Sequence, residues 1–240
     1  MEPIEIIHRI LSPGFVISGM KNALFNAWHR VAPGEFSRHF RAVRPYTMAS
    51  NARLRALHDA VKHVVSARIA GDIVECGSAR GGSAALLALA LDAAGSERAL
   101  WIFDTFEGMP EPSANDPDQK LARKYVGTCR GTLEDVTALF RSLHILQRAR
   151  MVKGLFQDTL KNAPVEQIAL LHLDGDWYDS VMTCLQTLYD KVSTGGIVQI
   201  DDYGYWEGAR KAIDDFFRQR GLPVPELRYI DYAGRQFVKK

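Results

Sequence analysis

Four aspartates follow two apolar runs that are typical of buried strands. Asp174 and Asp176 come directly after the run IALLHL, and Asp201 and Asp202 come after the run GGIVQI. An amphipathic segment joins the runs, which predicts a βαβ unit whose parallel strands end at the same edge of a sheet. The four carboxylates would then converge, and oxygen ligands of this kind favour a hard divalent cation such as Mg²⁺. For any one aspartate alone, capping of the following helix is the alternative interpretation.

A glycine-rich turn lies between a short apolar run and an Ala- and Leu-rich segment. Residues 71–77 (GDIVECG) have the pattern of a strand, 78–83 (SARGGS) that of a turn, and 84–94 that of a helix. A nucleotide-binding βα unit requires this order. The next apolar run, 99–103, ends in an acid that could accept hydrogen bonds from both ribose hydroxyls of a bound adenosine. The candidate cofactor contacts in these segments are Gly77, Ser78, Gly81, Ser83 and Asp104.

Two residues near this turn distinguish between kinds of cofactor. Ala79 occupies the position at which the dinucleotide pattern needs a second glycine, so that the backbone can approach a pyrophosphate. Glu75, at the end of the first strand, would repel a pyrophosphate, but it suits a ligand that carries an amino group and a sulfonium. S-adenosylmethionine is such a ligand. Further along the chain, Asp158 could accept a hydrogen bond from the adenine amino group, or it could cap the turn that follows it.

Composition and charge argue against several classes of protein. The chain has 240 residues, 30 basic and 28 acidic side chains and a formal net charge of +2, without a basic run of the kind that binds nucleic acid. Its three cysteines are far apart and lack metal-ligand spacing, which argues against a disulfide framework or a zinc site. The N-terminus lacks the positive charge of a signal peptide, and no apolar run is long enough to span a membrane. We expect a single cytoplasmic domain.

The first part of the chain has a helical pattern. Residues 1–45 are expected to form a helical appendage, in which apolar residues from Phe15 to Val31 have near-helical spacing. Residues 46–240 are expected to form the core of the domain. An apolar stripe predicts that this core begins with a helix from Thr47 to Ala70, with Ser50 or Asn51 as its N-cap.

The remaining pattern predicts a doubly wound α/β sheet of seven strands. The Pro-rich, acidic segment from Thr105 to Lys124 lacks periodicity and is expected to be a lid or a substrate-facing loop. A brief strand is expected from Arg150 to Gly154. The tail alternates from Glu226 to Tyr232 and from Arg235 to Val238, which predicts a hairpin that adds an antiparallel pair at the edge of the sheet.

Five segments of the sequence agree, in the same order, with one family of enzymes. They are VECGSARGGS, FDTFEGMP, GLFQDTL, LHLDGDWYDS and GGIVQIDDYG, and the agreement runs from about Tyr46 to Phe217. In these segments the chain resembles the macrocin O-methyltransferase family. The resemblance implies a class I methyltransferase fold, which is Rossmann-like. It also implies an S-adenosylmethionine-dependent O-methyltransferase that uses Mg²⁺ and methylates a sugar hydroxyl of a glycosylated natural product or a glycan.

The family pattern also implies a role for individual residues. It assigns metal ligation to Asp174, Asp201 and Asp202, and the general base to Asp176. Thr47 and Met48 match a Thr-Met pair that lines the methionine end of the cofactor. This sequence departs from the pattern at Trp177, where Leu is more usual, and in the region before Tyr46.

The acceptor and two alternative functions stay open at this point. The aromatic residues near the acidic segments could contact a sugar ring or could fill the core: Trp177, Tyr178, Tyr203, Tyr205 and Trp206. A catechol-type methyltransferase would use the same metal chemistry on a phenolic acceptor. A nicotinamide-dependent oxidoreductase, or a non-catalytic nucleotide-binding module, is an alternative from a different class, against which Glu75 and Ala79 argue. As partners we expect a small-molecule glycoside or glycan, and a second copy of the chain in a homodimer or a higher homo-oligomer.

Overall fold

Seven strands form one sheet in the part of the chain that the computed structural model describes, residues 24–25, 27–29 and 31–240. They are β1 (Asp72–Cys76), β2 (Leu100–Asp104), β3 (Ala149–Lys153), β4 (Ile168–Leu173), β5 (Val192–Ile200), β6 (Arg228–Tyr229) and β7 (Arg235–Val238). Their order across the sheet is β3-β2-β1-β4-β5-β7-β6. Strands β1 to β5 are parallel, whereas β7 runs antiparallel to both β5 and β6. The predicted sheet with an antiparallel C-terminal pair is therefore confirmed.

Helices lie between most of these strands along the chain. They are α1 (Glu35–Val43), α2 (Asn51–Ser66), α3 (Gly82–Ala93), α4 (Gln119–Ala122), α5 (Leu133–Ser142), α6 (Phe156–Thr159), α7 (Tyr178–Leu188) and α8 (Glu207–Gln219). Helix α2 begins at the predicted cap, because Ser50 Oγ accepts a hydrogen bond of 3.1 Å from the backbone N–H of Arg53. Such caps satisfy N–H groups that have no partner within the helix.

Two hydrophobic clusters cover the sheet. One contains buried residues of α1, α2, α3 and α5, and the other contains those of α7 and α8. All six residues of β4 are buried, as expected for a central parallel strand that is covered on both faces. Helix α3 is apolar nearly all round because it packs between the sheet and the two helices α1 and α2.

The N-terminal prediction falls only partly within the described residues. Of the expected helix from Phe15 to Val31, residues 24, 25, 27–29 and 31 are helical, and the others lie outside the described residues. Among the residues that are described, no helix has the combination of length and apolar character that crossing a membrane would need.

The C-terminal hairpin is shorter than the pattern predicts. Strand β6 contains two residues, because the chain enters a turn at Asp231. The side chain of Asp231 accepts hydrogen bonds from the backbone N–H groups of Ala233 (3.0 Å) and Gly234 (2.6 Å). This turn replaces the end of the predicted strand and leads directly into β7.

The order of the strands determines where a ligand can bind. From β1 the chain moves outward to β2 and β3, and it then returns to the other side of β1 to form β4. The loops that leave β1 and β4 therefore run in opposite directions and open a crevice at the carboxyl ends of these strands.

Candidate active site

A cavity of about 630 Å³ lies at the carboxyl ends of the central strands. Its volume is in the range of small-molecule sites. It is lined by most of the residues that the sequence predicts for the site, namely Thr47, Met48, Gly77, Ser78, Ser83, Asp104, Asp174, Asp176, Asp201 and Asp202. Three predicted residues, Glu75, Gly81 and Asp158, are not part of its lining.

Two glycines in and before the turn after β1 combine a positive φ with a lack of room for a side chain. Gly77 has a φ of +91°, and a Cβ atom there would lie 1.9 Å from the carbonyl oxygen of Asp174. Gly81 has a φ of +80°, and a Cβ atom there would lie 2.8 Å from a methyl carbon of Val136. Gly77 thus allows the ends of β1 and β4 to meet, whereas Gly81 shapes the start of α3 without lining the cavity.

Asp104, at the end of β2, holds this turn in place. Its Oδ2 atom accepts hydrogen bonds from the backbone N–H groups of Ser78 (2.6 Å) and Ala79 (3.1 Å). Its Oδ1 atom accepts a hydrogen bond of 2.7 Å from the N–H of Phe106. Asp104 also lines the cavity, so the predicted contact with the cofactor ribose stays a prediction. In that contact the carboxylate of Asp104 would accept hydrogen bonds from the turn and from the ribose hydroxyls at the same time.

The structure does not place Glu75 in the lining of the cavity, and the predicted contact of this carboxylate with the cofactor stays a prediction. Glu75 is fully buried, and its Oε1 atom lies 2.8 Å from Nδ1 of His172. Strand pairing places Glu75, His172 and Gln199 side by side on β1, β4 and β5. Burial raises the pKa of Glu75, and the hydrogen bond with His172 opposes this effect. Glu75 therefore acts on the site indirectly, through its contact with His172.

Asp158 is also away from the cavity. It is exposed on the short helix α6, and its carbonyl oxygen lies 3.5 Å from the side-chain nitrogen of Asn162. The preceding residue, Gln157, does line the cavity and was not selected from the sequence. Gln157 and Asp158 are neighbours in a helix that is four residues long, and the predicted contact of Asp158 with the adenine stays a prediction.

Asp174, Asp176 and Asp202 form a cluster of carboxylates at the ends of β4 and β5. One oxygen atom from each lies within 4.8 Å of the others. Burial, followed by repulsion between the neighbouring carboxylates, raises the pKa of Asp174 and Asp176 and raises the pKa of Asp202 to about 6. Among the described residues, Asp202 Oδ2 is buried and has no hydrogen-bond partner. A cluster of this kind is costly unless a cation lies between the carboxylates.

Asp201 has different neighbours from the other three aspartates. Its Oδ2 atom forms an ion pair with Nη1 of Arg53, and its Oδ1 atom lies 3.3 Å from Nε2 of His172. Burial opposes the ionisation of Asp201, but Arg53 and then His172 hold its pKa below the ordinary value. Burial would also lower the pKa of His172, yet its hydrogen bonds with Asp201 and Glu75 raise it to about 9.

The observed grouping differs from the set of metal ligands that the family pattern implies. Asp174 belongs to two groups of potential ligands, one with Asp176 and Asp202 and another with His172 and Asp201. Both oxygens of Asp201 already have partners, whereas Asp202 has a free oxygen. A cation beside Asp174 and Asp202 would therefore share Asp201 with Arg53 and His172.

The backbone and one tryptophan fix the carboxylate of Asp176. Asp176 has a φ of +55°, a conformation that is uncommon for residues other than glycine. Its Oδ1 atom accepts a hydrogen bond of 2.9 Å from Nε1 of Trp206. The neighbouring Trp177 donates its own N–H to the carbonyl oxygen of Pro110, at 2.8 Å. The backbone at Asp176 and the hydrogen bond from Trp206 therefore set the orientation of this carboxylate, independently of Asp174.

The aromatic residues near the aspartates divide into two groups. Trp177, Tyr205 and Trp206 line the cavity, and the two indole rings pack edge to face at 4.9 Å between centroids. Tyr178 and Tyr203 do not line it. Their hydroxyl groups instead contact aspartates of α8, so these two rings support the fold.

The segment of residues 105–124, which the sequence predicts to be a loop, borders the cavity and contains the short helix α4 near its end. Pro110 and Ser113 are among the lining residues. The loop is held by Asp116, which is 3% exposed and accepts hydrogen bonds from the N–H groups of Tyr178 (2.7 Å) and Ser113 (2.9 Å). Asp116 thereby caps α7 and joins the loop to the helix that follows the cluster.

Arg53 is the main site residue that sequence reasoning missed. Its guanidinium group contacts both Asp201 and Asp231, and Nε lies 3.2 Å from Asp231 Oδ2. No motif marks this arginine in α2. The sequence indicates such a residue only indirectly, because a buried cluster of four acids requires a nearby positive charge.

Comparison with protein-family models identifies a match over nearly the whole chain. The model described as Macrocin-O-methyltransferase (TylF) matches residues 15–239. A Streptomyces olivaceus enzyme, 8-demethyl-8-(2,3-dimethoxy-alpha-L-rhamnosyl)-tetracenomycin-C 4'-O-methyltransferase, is 37% identical over 79% of this chain and 74% of its own length. Demethyldecarbamoylnovobiocin O-methyltransferase of Streptomyces niveus is 34% identical over the same shares of the two chains.

Solved structures agree with the sequence comparison. The structure of the O-methyltransferase NovP superposes with a TM-score of 0.76, at 33% identity, over 81% of this chain and 82% of that one. The seven-stranded sheet with its antiparallel C-terminal pair is therefore the class I methyltransferase fold.

Proposed function

The chain belongs to the Macrocin-O-methyltransferase family and is an O-methyltransferase, and we propose that it methylates a sugar hydroxyl of a glycosylated small molecule. In this proposal S-adenosylmethionine is the methyl donor and Mg²⁺ is the metal. The observation that carries the proposal is the cluster of Asp174, Asp176 and Asp202, which shares one cavity with the glycine-rich turn.

The residues around the turn fit S-adenosylmethionine. This cofactor supplies a methyl group on a sulfonium, which is already activated for transfer to oxygen. Asp104 would accept hydrogen bonds from the ribose hydroxyls, and Thr47 and Met48 would line the methionine end. Met48 is 63% exposed, so its side chain is available to a ligand. Gly77 leaves the backbone of the turn open toward the cavity.

The carboxylates fit Mg²⁺, because several oxygen donors converge and Asp202 Oδ2 lacks any other partner in the described part of the chain. Asp174 and Asp202 would hold the ion together with Asp201. When it is bound, the cation supplies positive charge that lowers the pKa of an acceptor hydroxyl. Arg53 would keep Asp201 ionised and oriented while that residue serves as a ligand.

Asp176 would act as the general base. An alcohol is a poor nucleophile at neutral pH, so the proton of the acceptor hydroxyl must be removed as the oxygen attacks the methyl group. The carboxylate of Asp176 lines the cavity, and Trp206 holds one of its oxygens. This arrangement would leave the other oxygen for the proton and keep the base in a constant position.

A sugar acceptor is supported by the relatives and by the lining of the cavity. The Streptomyces olivaceus relative is named for a rhamnosyl derivative of tetracenomycin C. The rings of Trp177, Tyr205 and Trp206, together with Pro110 of the loop, give this end of the cavity apolar walls. Aromatic rings of this kind pack against the apolar faces of sugar rings.

A methyl-transfer assay with matched acceptors tests this function. The protein is incubated with Mg²⁺, S-adenosylmethionine that carries a labelled methyl group, a panel of deoxysugar glycosides, their aglycones and a catechol. We expect the label on the sugar fragment of a glycoside and none on the aglycones or the catechol. Labelling of the catechol without any glycoside would contradict the proposal. Calorimetry with S-adenosylhomocysteine and with NAD separates a methyltransferase from a nicotinamide enzyme, since only the first ligand should bind.

A further inference from the structure

A second group of potential metal ligands lies away from the cavity, between helices α1 and α2. Glu35 and His39 are four residues apart on α1, which places them on one face of that helix. His58 faces them from α2, and one ligand atom from each of the three residues lies within 4.8 Å of the others. None of the three lines the cavity of the candidate active site.

Two ring nitrogens in this group lack the partners that buried polar atoms normally have. His39 Nδ1 and His58 Nε2 are buried and form no hydrogen bond among the described residues. His58 as a whole is 2% exposed. Glu35 Oε1 lies 3.3 Å from His58 Nε2 but does not complete a hydrogen bond with it. Leaving such atoms unpaired is unfavourable, so the two nitrogens are candidate ligand atoms.

The opposite side of the His58 ring faces a carboxylate. Nδ1 of His58 lies 3.5 Å from Oδ1 of Asp59. Asp59 is itself held by Arg55, whose Nε lies 3.0 and 2.9 Å from its two carboxylate oxygens. A carboxylate beside Nδ1 favours the tautomer in which Nδ1 carries the proton and the lone pair of Nε2 points into the group. Histidine ligands of metal ions commonly have such a partner on the second nitrogen.

We propose that Glu35, His39 and His58 bind a transition-metal ion, and that zinc matches this set of ligands best. Two imidazole nitrogens and one carboxylate oxygen are ligands that Zn²⁺ accepts, whereas Mg²⁺ prefers oxygen ligands alone. The absence of metal-ligand spacing among the cysteines does not bear on this site, because its ligands are histidine and glutamate from two helices. The ion would connect α1 to α2 and so stabilise the N-terminal side of the domain.

The electrostatic environment is compatible with this ion. Burial lowers the pKa of His39 and of His58, which favours the neutral ring that a metal ligand needs. The competing cation is Lys62, whose Nζ lies 3.7 Å from Glu35 Oε1. The side chain of Lys62 is 55% exposed, so it can turn into solvent when a metal ion takes its place.

Zinc titration of chelator-treated protein tests the site. The variants His39→Gln and His58→Gln each remove one ligand, and His63→Gln is the matched control because His63 is an exposed histidine of α2, the helix that carries His58. We expect each ligand variant to bind zinc at this site at least about tenfold more weakly than the wild type, and the control to bind it equally well. Asp59→Asn removes the outer partner of His58 and keeps all three ligands, so it should also weaken binding, but by a smaller factor than loss of a ligand in the same titration.

Two further measurements separate this site from the aspartate cluster. Histidine ring ¹⁵N NMR should show zinc-dependent shifts of Nδ1 in His39 and Nε2 in His58. Zinc bound at the aspartate cluster would move neither signal. Zinc should raise the melting temperature of the wild type more than that of His39→Gln. His39 is only half-buried, so this variant still tests the site if His58→Gln does not fold. Equal zinc affinity in the wild type and His39→Gln, or unchanged signals of both rings, would overturn the proposal.

Discussion

The indole N–H of Trp206 donates a hydrogen bond of 2.9 Å to Oδ1 of Asp176. This bond joins the residue before α8 to the loop after β4, so the orientation of the proposed base depends on two separate elements. It also opposes the influence of burial and of Asp202, both of which raise the pKa of Asp176. Trp206 should therefore affect the rate of the reaction and its pH dependence.

The variant Trp206→Phe removes this hydrogen bond and keeps an aromatic ring. We expect turnover to fall about tenfold, as a part of the roughly 10²–10⁴-fold contribution of a general base. The pKa of Asp176 should rise when the bond is lost, and the base works only when it is ionised. The acidic limb of the pH–rate profile should therefore move to higher pH. Trp177→Phe is the control, because its N–H binds Pro110, and an equal shift in that variant would argue against the account.

Arg53 is expected to stabilise the fold by compensating buried negative charge. Its side chain is 12% exposed and contacts Asp201 and Asp231. The variant Arg53→Met leaves Asp201 buried without this partner, which should lower the free energy of unfolding by about 3–5 kcal/mol. Urea denaturation measures the change. Arg55→Met is the matched control on the same helix, since the exposed pair of Arg55 and Asp59 should contribute less than about 1 kcal/mol.

Local sequence patterns were sufficient to predict the sheet. Strand β1, the glycine turn and α3 follow one another without interruption, and β4 and β5 are continuous apolar runs that end in aspartates. Because parallel strands align their carboxyl ends, the convergence of Asp174, Asp176 and Asp202 followed from the chain order. The cap at Ser50 was likewise visible as a residue type at the start of a helix.

Contacts between distant parts of the chain could not be predicted in this way. Arg53 reaches Asp201 across 148 residues of sequence, and only the packing of α2 against the sheet brings them together. The contact between Glu75 and His172 could not be predicted either, because the register of β1 and β4 determines which residues of the two strands are neighbours. The side chain of Glu75 therefore faces a neighbouring strand, where a motif alone suggested that it would face the cofactor.

Asp104 should be needed both for cofactor binding and for the shape of the glycine turn. Loss of its charge-assisted hydrogen bonds, each contributing about 1.5–3 kcal/mol, should weaken binding of S-adenosylhomocysteine at least about tenfold in Asp104→Ala. The bonds to Ser78 and Ala79 predict a lower melting temperature as well. Calorimetry and thermal unfolding measure the two effects. Unchanged affinity in a folded variant would show that Asp104 serves only the turn.

Gly77 should tolerate no side chain. In Gly77→Ala the new Cβ atom would lie 1.9 Å from the carbonyl oxygen of Asp174, in a backbone conformation with φ of +91°. The ends of β1 and β4 would have to separate, and we expect a loss of more than about 3 kcal/mol in the free energy of unfolding. Gly95→Ala is the control, because φ there is also positive (+62°) and nothing lies within 4 Å of the added atom. Its loss should be about 1 kcal/mol, and an equal loss in both variants would contradict the steric argument.

The Mg²⁺ dependence of turnover in the wild type, Asp202→Asn and Asp176→Asn tests the central claim, that the cluster divides into metal ligands and a base. Wild-type activity should vanish in EDTA and return with Mg²⁺, and Asp202→Asn should require more Mg²⁺ for the same rate. Asp176→Asn should lose about 10²–10⁴-fold in turnover at every Mg²⁺ concentration, because its amide cannot accept a proton at neutral pH. Full activity in EDTA, or rescue of Asp176→Asn by excess Mg²⁺, would contradict this division of roles.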